Sequence, residues 1–154
     1  MRIVIMGCGR TGSILALLMS QGGHQVTMIE RSQDALLRLG KHHTCRIILG
    51  DGLDEDTLRR AEVDQADAFI ACTQGDNTNL MVAQMVRELF GVPRVAAKVN
   101  DPVRAEAYRQ HGIFTITGGS LIAGYLRDWL LGQPTRNIEE YNQFYPELQV
   151  LLQD

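Results

Sequence analysis

Near the start of the chain, Gly7-Cys8-Gly9-Arg10-Thr11-Gly12 sets three glycines at the spacing G-x-G-x-x-G around a guanidinium. Such a run does phosphate chemistry with its backbone. The first glycine permits a tight turn, the second lets a pyrophosphate approach the main chain, and the third lets the next helix lie close to the strand before it. The free N–H groups and positive dipole end of that helix then face an anion. Glu30 stands 18 residues after Gly12, at the end of a second apolar run. A carboxylate there accepts hydrogen bonds from ribose hydroxyls and repels a 2′-phosphate. The pair of signals predicts an adenine nucleotide without a 2′-phosphate.

Other polar groups follow other apolar runs. Arg10 is placed to reach terminal or bridging phosphates bidentately, and Cys8 and Thr11 belong to the same binding loop. Arg31 either flanks the adenosine or is a surface charge. Asp51, between Gly50 and Gly52, is a candidate acceptor for the adenine amino group or a simple turn aspartate. Thr73 is a candidate donor to ribose or phosphate, and Asp76 is expected to cap the following helix. No catalytic or metal-binding set emerges. Tyr108, Tyr125 and Tyr141 have no lysine four residues on, and His24, His42, His43 and His111 fall at helix–strand junctions. Cys8, Cys45 and Cys72 form no CxxC pair, so neither a zinc site nor a disulfide framework is expected.

The elements that must position these groups alternate along the whole chain. Strands are expected at 2–6, 25–29, 45–49, 68–72, 94–99 and 113–116. Helices are expected at 10–21, 32–41, 54–61, 77–90, 101–111 and 120–131. Six strand–helix units predict an α/β, Rossmann-like, doubly wound parallel six-stranded sheet in the order 3-2-1-4-5-6. Residues 1–131 are expected to form this domain. Residues 132–154 form a tail that docks on the domain, pairs with another subunit or leads into a longer chain.

With 154 residues, 45% hydrophobic and 21% charged, the chain is sized for one sizeable core. A net charge of −3 argues against a nucleic-acid partner. No apolar run approaches the roughly 18 residues of a membrane span, so direct insertion is not expected, and the opening residues read as a strand, not a signal peptide. A cytoplasmic setting follows.

The accumulated pattern resembles the RCK or TrkA-N family, the N-terminal nucleotide-binding domain of potassium transport regulators. The matching residues are the glycine loop with Arg10, Glu30, Gly50-Asp51 with Leu58, and Asp76, Asn79 and Leu80. Ala97-Lys98-Val99-Asn100-Asp101-Pro102 and Gly112 complete the set. The resemblance covers residues 1 to about 131. It implies a regulatory nucleotide-binding domain, taking NAD/NADH or ATP/ADP, that pairs through its last helix into homodimers or larger rings. It also implies attachment to the membrane only through a potassium channel or transporter subunit. By position, Arg10 resembles the family's phosphate-contacting arginine, and Lys98 resembles a basic residue that reaches phosphates at a subunit boundary. Two departures stand out. Gly118-Gly119 replaces the Pro-Glu frequent in relatives, leaving no carboxylate there for a bridging metal, and the family's smaller C-terminal ligand-binding domain has no counterpart in this sequence.

Two other readings remain open at the level of sequence. One is an NAD-dependent oxidoreductase-like subunit whose substrate site is supplied by a partner. The other is a nucleotide-free assembly module acting through the last helix, where Leu121, Ile122, Tyr125, Leu126, Trp129 and Leu130 make an apolar stripe.

Overall fold

Every residue of the first strand but Arg2 is buried, and so is its neighbourhood on both faces. That is the signature of a parallel sheet covered on two sides. The computed structural model describes residues 1–148. Its strands are β1 (Arg2–Met6), β2 (Gln25–Glu30), β3 (Arg46–Leu49), β4 (Ala68–Ala71), β5 (Val95–Lys98) and β6 (Phe114–Ile116). The sheet order is β3-β2-β1-β4-β5-β6, as the alternation of elements predicts. The helices are α1 (Arg10–Gln21), α2 (Glu55–Arg60), α3 (Asp76–Phe90), α4 (Pro102–Gln110), α5 (Gly118–Leu130) and α6 (Ile138–Tyr141).

The chain divides into two compact units, Met1–Ala97 and Lys98–Asp154. In the first, β1 pairs in parallel with β2 on one side and β4 on the other, and β3 lies outside β2. Ile3, Ile5, Val26 and Met28 pack with Cys8, Ala16, Leu39 and Cys45 into one core cluster. Each such aliphatic side chain contributes about 1.5–3 kcal/mol on burial. All three cysteines are buried as small core residues, and none forms a disulfide among the described residues.

The segment expected as a helix over 32–41 is instead a 3₁₀ helix, Asp34–Leu39. Only a turn or two fits before Gly40, at φ +73°, stops it, so the backbone bonds close at i→i+3: Ala35 to Ser32, Leu36 to Gln33 and Gly40 to Leu37. The cap position falls on Gln33 and not on Ser32, although the Ser32 hydroxyl accepts from the Ala35 N–H at 3.3 Å. Asp76 does not cap α3. It is the first helical residue, and Gly75 occupies the cap position.

In the second unit Asp101 caps α4 as expected, accepting from the Val103 and Arg104 N–H groups, with Pro102 in the first turn. The Val99 N–H donates to the Ile116 carbonyl at 3.0 Å. Residues 132–148 dock on their own unit. Asn142 is nearly buried and bridges two backbone groups of the β6 end: its Oδ1 accepts from the Thr117 N–H at 3.0 Å and its Nδ2 donates to the Thr115 carbonyl at 2.8 Å. Arg136 forks onto the buried Asp128 of α5 at 2.8 and 3.3 Å, and its guanidinium lies 4.9 Å above the Tyr141 ring. These bonds hold the Asp128 carboxyl below the usual aspartate range, the Arg136 hydrogen bonds being the largest cause, and hold the Arg136 guanidinium above its ordinary value.

Candidate functional site

The carboxyl ends of β1, β2, β3 and β4 converge on one crevice of about 350 Å³. It opens where the strand order reverses, between β1 and β4, the position at which open α/β sheets take ligands. Each strand end delivers part of the lining: Gly7, Cys8 and Gly9 from β1, Glu30, Arg31 and Ser32 from β2, Asp51 and Gly52 from β3, Thr73 and Gln74 from β4.

Two glycines make the β1 end possible. Gly7 has φ +100°, and a Cβ there would sit 2.8 Å from the Thr73 nitrogen. A Cβ at Gly12 would collide with the Gly7 carbonyl oxygen, so only glycine lets α1 start this close to its own loop. Gly9 caps α1 with no side-chain hydrogen bond, which leaves the first-turn N–H groups and the positive helix end without an internal partner.

Glu30 organises the β2 end. Its Oε2 accepts from the Cys8 N–H at 2.6 Å, and its Oε1 accepts from the Arg31 and Ser32 N–H groups at 2.8 and 3.0 Å. One carboxylate thus ties the glycine loop to the β2 end while its remaining lone pairs stay available. Burial pushes the Cys8 thiol up, and the nearby Glu30 carboxylate adds to the shift against an opposing Arg38. The thiol is a packed, protonated wall, not a nucleophile. Across the crevice Arg31 and Asp51 form an exposed ion pair at 3.5 Å, and the Asp51 Oδ1 also accepts from the Leu53 N–H at 3.0 Å. Asp51 thus closes its own turn while lining the crevice.

The β4 end is clamped by Asn79, which is fully buried one turn into α3. Its Oδ1 accepts from the Thr73 N–H at 2.9 Å and from the Thr73 hydroxyl at 2.6 Å, and its Nδ2 donates to the Thr73 carbonyl at 3.1 Å. The Thr73 hydroxyl also accepts from the Gly75 N–H at 3.3 Å.

Of the expected site residues, Gly7, Cys8, Gly9, Glu30, Arg31, Asp51, Gly52 and Thr73 line this crevice together. Arg10 and Thr11 do not line it; they are exposed on the first turn of α1. Gly12 is buried beneath Gly7, and Lys98 ends β5 outside the lining. Lining residues that were not expected include Ser32, Ala35, Arg38 and Thr78. Ala35 and Arg38 belong to the 3₁₀ helix, and Ser32 lies just before it. A polar residue right after the β2 acid was their only signal. His24 lies elsewhere, its Nδ1 3.2 Å from the Met1 amino nitrogen. Among the described residues no helix is long and apolar enough to cross a membrane.

The TrkA-N domain family model matches residues 3–117. The Trk system potassium uptake protein TrkA of Streptomyces coelicolor is 49% identical over 116 residues, covering 75% of this chain and 52% of its own length. The TrkA homolog of Methanothermobacter thermautotrophicus is 38% identical over 127 residues, covering 82% and 58%. The chain therefore spans about half the length of these relatives. Among solved structures, GsuK bound to ADP superposes with a TM-score of 0.72 at 26% identity, over 84% of this chain and 33% of that one.

Proposed function

The chain belongs to the TrkA-N domain family, and on that premise we propose that it is a regulatory domain that binds an adenine nucleotide and controls a potassium channel or transporter. The observation that carries the reading is the crevice itself: an uncapped α1 start for phosphates, with Glu30 already fixed beside it for a ribose. The ADP bound by GsuK and the potassium-uptake role of the TrkA relatives point the same way. NAD/NADH and ATP/ADP both suit the crevice; a 2′-phosphate would meet the Glu30 carboxylate. The reading assigns the domain a regulatory role and not a catalytic one, which the potassium-uptake role of the TrkA relatives supports.

The signal passes as a population shift. A nucleotide biases the arrangement of paired domains only by binding one arrangement more tightly. Arg10, and Lys98 reaching across a subunit boundary, sense the number and position of phosphates. Pairing uses α5, where Ile122, Tyr125, Leu126, Trp129 and Leu130 are all exposed. The assembly sits at the cytoplasmic face of the membrane through its transporter partner.

Calorimetric titration of nucleotide-stripped protein with ATP, ADP, AMP, NAD and NADH tests the reading. Micromolar binding without turnover supports the sensor. Turnover of NADH with a partner present would favour the oxidoreductase-like reading. No binding by any of the five would leave the apolar α5 face, and an assembly module, as the better account.

A further inference from the structure

Unit 2 holds a cavity of its own, about 400 Å³, at the start of α5. Ligand sites of that size are mostly apolar with a few convergent polar groups. This one fits the description: Pro102, Ala123, Gly124, Tyr145 and Leu148 form walls, and Ser120 stands at the head of the helix.

Three features converge at that head. The cap residue of α5, Thr117, makes no side-chain capping bond, and its hydroxyl is buried without a partner among the described residues. The first-turn N–H groups of Gly118, Gly119 and Ser120 therefore lack the side-chain acceptor that satisfies such groups elsewhere. Second, Cβ atoms built on Gly118 and Gly119 would meet nothing within 4 Å, so a ligand has direct access to this backbone. Third, Ser120 is 94% buried by its 6% exposure, lines the cavity, and has no hydrogen-bond partner among the described residues. The Ser120 hydroxyl is therefore open to an acceptor placed in the cavity.

The charges nearby select the acceptor. Arg127 lines the cavity but is engaged elsewhere: its Nε and Nη2 bond Asp128 Oδ1 at 3.2 and 3.1 Å, and its guanidinium lies 5.3 Å from the Tyr145 ring centroid. Glu147 also lines the cavity and brings negative charge. A dianion would be under-neutralised there, whereas a single carboxylate matches one helix end and one hydroxyl. We propose that this cavity is a second ligand site, taking a small monocarboxylate with a short apolar body. The carboxylate accepts from the α5 first-turn amides and the Ser120 hydroxyl, and the body lies along Ala123, Pro102 and Leu148.

The test is an NMR titration of the whole ¹⁵N-labelled chain with butyrate, benzoate and inorganic phosphate, read at the Gly118, Gly119 and Ser120 amides. Butyrate or benzoate should shift these three saturably, and Ser120→Ala should weaken binding roughly tenfold, as loss of a bond to a charged group does. Gly119→Glu, which places its own carboxylate at the helix start in open space, should abolish the shifts. A spectrum otherwise unchanged shows that each variant folds. The proposal is overturned if the three amides do not respond saturably, if neither variant alters the response, or if phosphate saturates them more tightly than the carboxylates. The readout is confined to unit 2, so failure of nucleotide binding at the glycine loop leaves it untouched.

Discussion

Replacing Asn79 by alanine removes the clamp on the β4 end without touching the glycine loop. Three hydrogen bonds to Thr73 disappear, at 2.6, 2.9 and 3.1 Å, around a side chain with no solvent exposure. Each neutral bond contributes about 0.5–1.5 kcal/mol net, so the three together contribute a few kcal/mol. The expected loss is about 2–4 kcal/mol, a large part of the roughly 5–15 kcal/mol that holds a domain together. In urea, with a slope of about 1–3 kcal/mol per molar, the midpoint should fall by roughly 1–2 M at unchanged slope. Asn79→Asp is the sharper control. It keeps the Oδ1 acceptor but sets a second oxygen against the Thr73 carbonyl and buries a charge, so it should cost at least as much. A midpoint within about 0.3 M of wild type for Asn79→Ala would refute the reasoning, because at those slopes the clamp would then contribute less than one ordinary hydrogen bond.

Gly12→Ala should destabilise by about 2–4 kcal/mol, because the added methyl meets the Gly7 carbonyl and both α1 and its loop must move; a thermal melt within a degree or two of wild type would contradict the packing. Arg10→Ala should weaken ATP roughly tenfold in calorimetry and AMP much less, whereas equal losses for both would remove Arg10 as a phosphate sensor. Asp128 has a carboxyl held low by Arg136, so its contribution is complete above the ordinary aspartate value of about 3.9 and is lost as pH falls through the lower folded value. Melting temperatures of wild type and Asp128→Asn should therefore differ at pH 6 and converge towards acid; parallel curves would rule that linkage out.

The glycine loop and Glu30 were legible because their roles depend on short, fixed offsets: a turn, a helix start, and a carboxylate at the end of the next strand. The sheet order was legible because strand–helix alternation and crossover handedness leave few alternatives. What stayed hidden is of a different physical kind. Asn79 looks like any polar residue in an amphipathic helix until β4 brings Thr73 beside it. Arg38 lines the crevice from a segment that reads as an ordinary helix in the sequence but winds as a 3₁₀ helix in the structure. The docking of residues 132–148 rests on pairs such as Asn142 with Thr115 and Arg136 with Asp128, and on Gly124, where any Cβ would collide with the Tyr145 hydroxyl. Such pairs leave no periodic trace in the chain.

The two ends of the crevice differ in stiffness, and that difference bears on what it can discriminate. On the β1 side, Glu30 and Asn79 hold the loops through short bonds to the main chain before any ligand arrives. A ribose adds to this arrangement and does not have to create it, which spares the ordering cost that a mobile loop would impose. On the far side, the Arg31–Asp51 pair is long and solvent-exposed, and such pairs are worth only about 0–1 kcal/mol. It can open for a base at little cost. Yet the ribose and the adenine are common to ATP, ADP and NAD, so neither end of this stretch distinguishes among them. If the domain discriminates among them as proposed, the difference is read beyond the first phosphate, at the uncapped start of α1 with Arg10 exposed beside it. On the proposed reading, the crevice holds the shared half of its ligands on bonds already formed and leaves their difference to Arg10, which is what a domain that compares nucleotides without transforming them would require.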